Sequence, residues 1–176
     1  MDIEAEIITG CLRKSEKHQA LLYRQYFGYV KAISLAYTND PDVALEITND
    51  SFMKAFQSIG AYDREKPFKV WLRKIAVNTA IDYYRKNKKY LNNVEIVETS
   101  CGAPYAITII DQLTVDDIYK LINSLPDIQK FIFNLYAIEG YNHAEIATAL
   151  DIPESTSRAY LTRAKKRLQE LVRNNF

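Results

Sequence analysis

Residues 68–89 read Phe-Lys-Val-Trp-Leu-Arg-Lys-Ile-Ala-Val-Asn-Thr-Ala-Ile-Asp-Tyr-Tyr-Arg-Lys-Asn-Lys-Lys, with no glycine or proline among them. Phe68, Trp71, Leu72 and Ile75 recur at the three- and four-residue spacing that lines up one stripe of a helix. Val70, Val77, Ile81 and Tyr84 make a second stripe. A helix apolar over so wide an arc needs neighbours on two sides, so this segment predicts a long helix clasped by others.

Upstream, Leu21, Leu22, Tyr26, Tyr29, Val30 and Ile33 keep helical spacing up to about Tyr37. Thr38 to Asp42 breaks the pattern, and Pro41 is placed to open the next helix. That helix runs from Val43 to Ile59, with Ile47, Phe52 and Phe56 near one face, and Gly60 ends it. Asp63 to Pro67 is a short charged loop. Downstream, no period persists from about Tyr90 to Leu113, a run too long for a loop inside one compact domain. Helical patterns then return over 115–124, 126–138, 142–150 and 153–173. The expected fold is all-α: two small helical domains, residues 1–90 and 113–176, joined by a flexible linker at 91–112.

The whole chain, 176 residues with a formal net charge of +1, hides a strong segregation of charge. Residues 1–63 are net −3, 64–90 net +7, 91–152 net −7 and 153–176 net +4. Two basic helices are what a protein touching a polyanion at two places shows, and two solvated helix faces give the same count. No apolar run approaches the ~18–20 residues that span a bilayer, and the acidic first ten residues do not read as a signal peptide. Cys11 and Cys101 stand far apart without metal-ligand spacing, which fits a reducing, cytoplasmic setting. His18 and His143 are isolated. Glycine-rich phosphate loops, Cys/His dyads and HExxH are all missing, which disfavours an enzyme. Glu46 and Asp50 lie at i and i+4, but no histidine joins them as a metal ligand. Neither a metal nor a cofactor is expected.

Asn142 to Leu150, then Asp151-Ile152-Pro153-Glu154, then a basic helix follow the helix-turn-helix pattern. At about 100° per residue, Ser157, Tyr160, Leu161, Ala164, Leu168, Leu171 and Val172 fall on an inward arc. Ser155, Arg158, Ala159, Thr162, Arg163 and Lys166 fall on the outward arc, where a docked helix meets base edges. Arg158 can fork onto guanine, whereas the later Lys165, Lys166, Arg167 and Arg173 suit phosphates. A helical hairpin with a soluble basic face fits the same spacing.

The segment Phe68 to Arg85 resembles the F-x-x-W-L-x-x-I-A-x-N-x-x-x-D-x-x-R signature of bacterial extracytoplasmic-function (ECF) sigma factors. Ala44 to Phe52 resembles that family's polymerase-binding helix. Leu125-Pro126, Glu139-Gly140-Tyr141, Glu145-Ile146-Ala147, Leu150, Ser155 to Arg158 and Arg163-Ala164-Lys165 resemble its promoter-reading helix-turn-helix. The likeness spans about residues 12–88 and 113–172.

The resemblance implies a non-enzymatic transcription initiation factor that binds core RNA polymerase and promoter DNA, both duplex and single strand. It places Glu46, Asn49 and Asp50 against the polymerase clamp. Asp63, Arg64, Lys66, Lys69, Arg73, Lys74, Asn78 and Arg85 would capture the melted −10 strand, with Lys86, Lys88 and Lys89 adding charge. A pocket for a flipped base offsets unstacking by a few kcal/mol, and a positive groove tracks the phosphates. Ser155, Arg158, Ala159, Thr162, Arg163 and Lys166 would read the −35 duplex. An anti-sigma protein is the implied regulator. Trp71, Leu72 and Ile75 are expected in the core, Asp82 paired with Arg85 or Lys86, and at least one of Tyr83 and Tyr84 packed.

The chain departs from the family pattern at Leu45, Asn49, Asp151, Ser157 and Thr162. Asp151 stands where a turn glycine is frequent, and aspartate tolerates left-handed backbone. Ser157 stands where valine is frequent, so the turn is expected to pack differently. The alternative is a stand-alone helix-turn-helix regulator whose N-terminal half is a dimerisation or sensor module.

Overall fold

The computed structural model describes residues 3–91 and 114–175, and no strand occurs among them. The chain divides into two compact units, Met1–Tyr83 and Tyr84–Phe176, with the division falling inside one helix. The expected linker at 91–112 lies, apart from Leu91, outside the described residues.

In the first unit, α1 (Ile3–Leu12) buries Ile7, Ile8 and Cys11. The sequence reading did not foresee this helix. Gly10 lies against the His18 imidazole, where an added Cβ would overlap the ring. The ring is in turn hydrogen-bonded to Ser15 Oγ at 2.8 Å. α2 (Glu16–Leu35) includes the periodic stretch that begins at Leu21 and buries Leu22, Tyr26, Val30 and Ile33.

α3 (Pro41–Ser58) opens as the sequence predicts: Pro41 takes the first turn, and Asp40 accepts from the amides of Asp42 at 2.8 Å and Val43 at 3.3 Å. Between α2 and α3 the buried hydroxyls of Thr48 and Ser34 meet at 3.1 Å. Each also lies within hydrogen-bond distance of a carbonyl one turn back in its own helix, so neither is left without a partner. Past Ser58 the chain tightens into a single 3₁₀ turn, Ile59–Ala61, that carries it through Gly60.

α4 (Phe68–Leu91) is the long helix of residues 68–89. Phe68, Leu72, Ala76, Val77, Ala80, Ile81 and Tyr84 are buried, while Trp71 and Ile75 are half-buried. Two expectations fail here. Val70, assigned to an apolar stripe, is 61% exposed, because its direction belongs to the solvent strip shared with Lys74 and Asn78. Asp82 pairs with Lys54 of α3 at 2.7 Å rather than with Arg85 or Lys86. A neighbouring helix supplies a better-placed ammonium than the residue's own.

In the second unit, α5 (Val115–Asn123) starts from a capping box in which Thr114 and Asp117 satisfy each other's backbone amides. α6 (Asp127–Ala137) follows the Leu125-Pro126 corner. α7 (His143–Leu150) has its own capping box, Asn142 with Glu145. The turn at 151–153 leads into α8 (Glu154–Asn175). Leu125, Phe131, Ile132, Leu135, Ile146, Leu150, Leu161, Ala164 and Val172 close this unit's core. Asp151 takes φ +53°, the left-handed conformation that its position requires.

Candidate nucleic-acid interface

Loop 62–67 is held from beneath by aromatic rings. Phe68 packs on Tyr26 and Tyr62, each at 5.2 Å between centroids, and Trp71 lies 5.3 Å from Tyr62. Offset and edge-on ring pairs of this kind prefer definite angles, which fixes the loop's footing. The Tyr26 hydroxyl also donates to Glu4 of α1.

Asp63, Arg64 and Lys66 are all exposed on the loop. Asp63 accepts from the Glu65 amide at 3.1 Å and faces Lys66 at 3.4 Å. The amide bond, then the lysine, holds its carboxyl below the ordinary carboxylate range. Asp63 thus offsets Lys66 locally. Arg64 reaches back to Thr9 Oγ1 of α1 at 3.2 Å.

Along α4 the expected cations do not form a single row. Lys69 and Arg73, one turn apart, share one edge. Lys69 sits 5.8 Å over the Tyr29 ring, and the Tyr29 hydroxyl donates to the Lys69 carbonyl at 3.3 Å. Lys74, Asn78 and Arg85 occupy a neighbouring exposed strip. The sequence reading missed Val70 on this strip because its apolar letter suggested the core. The spacing 70, 74, 78 is the signal that could have found it.

On α3, Glu46, Asn49 and Asp50 are exposed on one face, and Asn49 Oδ1 accepts from the Tyr23 hydroxyl at 3.0 Å. Leu45 and Met53 flank them, 38% and 58% exposed. Met53 was not foreseen, although it continues the i+3, i+4 spacing from Asp50 and Asn49. Acidic groups bracketed by open apolar side chains suit a protein partner better than a polyanion.

On α8, Ser155, Arg158, Ala159, Thr162 and Lys166 are exposed and Arg163 is half-exposed, with its guanidinium 5.6 Å over the Tyr160 ring. Arg158 is hydrogen-bonded to Glu154 one turn earlier, a pair that the i, i+4 spacing could have revealed. The inward arc is also in place, with Ser157 and Leu161 buried. Ser157 does pack differently from an apolar residue: its hydroxyl lies 3.0 Å from His143 Nδ1. His143 stacks on Tyr136 of α6 at 4.9 Å. Burial, then the charge of Arg158, keeps the imidazole below its usual pKa.

No group of three or more His, Cys, Asp or Glu side chains gathers as a metal site among the described residues. No described helix is long and apolar enough to cross a membrane.

The Sigma-70 region 2 family model matches residues 22–90, and the Sigma-70 region 4 model matches residues 116–168. The chain is 29% identical over 154 residues to the ECF RNA polymerase sigma factor SigM of Bacillus subtilis, covering 85% of this chain and 92% of that one. It is 27% identical over 177 residues to the ECF RNA polymerase sigma-E factor of Salmonella typhimurium, covering 94% and 92%. Among solved structures, it resembles the sigma factor RpoE in complex with the anti-sigma factor NepR from Bartonella quintana. There the TM-score is 0.48 and the identity 21%, over 89% of this chain and 98% of that one. With both sigma regions matched in order, and full-length relatives of one kind, the chain belongs to the ECF sigma factors of bacterial RNA polymerase.

Proposed function

We propose that this chain is a dissociable, non-enzymatic initiation subunit that divides its work between residues 1–90 and 113–176, with 91–112 as the tether. The outer face of α3, with Glu46, Asn49 and Asp50, docks on core RNA polymerase. Loop 62–67 with Asp63 and Arg64, and α4 with Lys69, Arg73, Lys74, Asn78 and Arg85, receives the melted −10 strand. Lys66, offset by Asp63, adds charge at the loop's rim. The outer arc of α8 reads the −35 duplex, with Arg158 on a base edge and Lys166 on a phosphate. An anti-sigma protein restrains the free factor; the similar sigma factor RpoE of Bartonella quintana is found in complex with the anti-sigma factor NepR. Its place of action is where core polymerase works, the cytoplasm.

The observation that carries this reading is the pair of exposed basic surfaces, one on each matched sigma region. Run-off transcription tests it: purified chain plus core polymerase should initiate at a selected promoter with no other sigma present. Transcription only when another sigma factor is added would overturn it in favour of a stand-alone regulator.

A further inference from the structure

Glu154 opens α8, and its carboxylate accepts a hydrogen bond from Arg158 Nη2. Both side chains remain accessible, at 45% and 63% exposure. The direction in which the pair points is fixed by Ser157, the residue just before Arg158. Ser157 is fully buried and hydrogen-bonded to His143, so α8 cannot roll without breaking that joint. The carboxylate itself is favoured at a helix N-terminus, where the backbone amides point toward it.

An unrestrained arginine beside DNA binds the nearest phosphate as readily as a base. A carboxylate next to it changes that choice. Glu154 is repelled by phosphates, and it occupies one edge of the guanidinium while leaving the other donors in their planar fork. We infer that Glu154 is a positioning residue for promoter reading: it aims Arg158 at a guanine edge and opposes its capture by the phosphate backbone. The inference rests on the proposed duplex-reading role of α8. It assigns Glu154 to specificity at a cost in general affinity.

Full-length chain assembled with core polymerase would be bound to a promoter library randomised through the −35 duplex. Arg158→Ala should lower preference for guanine at one position about tenfold, within the range of a bidentate base contact. Glu154→Ala should lower the same preference about three- to tenfold while raising binding to unrelated duplexes about twofold, since a charge opposing the phosphates is gone. Glu154→Gln, which keeps an acceptor for Arg158, should retain part of the preference but show the same gain on unrelated duplexes.

Opposite movements of preference and general affinity separate positioning from mere repulsion. If Glu154→Ala strengthens binding to every sequence with guanine preference intact, the inference fails and α8 still reads DNA. If Arg158→Ala leaves the preference unchanged, the duplex-reading proposal fails first.

Discussion

The two basic surfaces stand on different kinds of support. Loop 62–67 and the start of α4 rest on rings: Tyr26, Tyr62, Phe68 and Trp71. The first turns of α8 add polar joints to the apolar packing of Leu161: Ser157 with His143, and the Asn142–Glu145 box that sets the start of α7. The difference matches the two proposed tasks. A single strand is flexible and adapts to a surface, so its receptor needs a stable shape more than an exact rotation. A duplex is stiff, and a helix that reads it must keep its outward arc turned to the groove. Directional hydrogen bonds set a rotation better than interchangeable apolar contacts do.

The aromatic support should give the largest effect when broken. Phe68→Ala removes a buried ring touching three others and is expected to cost about 3–5 kcal/mol. Hydrogen exchange on the full chain should then show lost protection in α2–α4 while α6–α8 keep theirs. Equal loss in both units would show that the rings support the whole chain and not the first unit alone.

The polar support should instead respond to acid. His143 has a lowered pKa when folded, so below pH 6.5, its ordinary value, the unfolded chain takes up a proton that the folded chain resists. Stability of residues 84–176 should therefore fall as pH drops through that value and level off once the folded imidazole is itself protonated. His143→Gln should flatten this dependence in denaturation curves taken across the same window. A wild-type curve that is already flat would show that the joint is insensitive to the proton.

The smallest effect is expected at Lys54–Asp82, a pair roughly half exposed on both sides. Asp82→Asn should cost about 0.5 kcal/mol or less, since solvent screens such pairs. A larger loss in a urea titration would mean that the joint between α3 and α4 depends on this ion pair.

Much of this was legible in the sequence, for identifiable reasons. α2, α3 and α4 carry long apolar periods, and Asp40-Pro41 signals a helix start that the structure realises. The inward and outward arcs of α8 followed from one rotation per residue, and the left-handed Asp151 fits the glycine that the resembled family often has at that turn. α1 was not legible. Its apolar residues lie within a short segment that includes Gly10, and it is held by partners such as His18 and Tyr26 that lie outside it. Asp82 misled for a related reason: local spacing offered Arg85 and Lys86, whereas Lys54 lies 28 residues away. At Val70 the residue type pointed inward, and only its rotation about α4 showed that it faces out.

The packing of Gly10 has a consequence beyond α1 itself. Any side chain at that position must displace the His18 imidazole or lift α1 from α2. α1 also holds Thr9 against Arg64 at the rim of loop 62–67. A substitution at this buried glycine would thus be felt at the loop where the strand is proposed to enter. Loop 62–67 is thus tied, through α1, to a position that carries no side chain of its own.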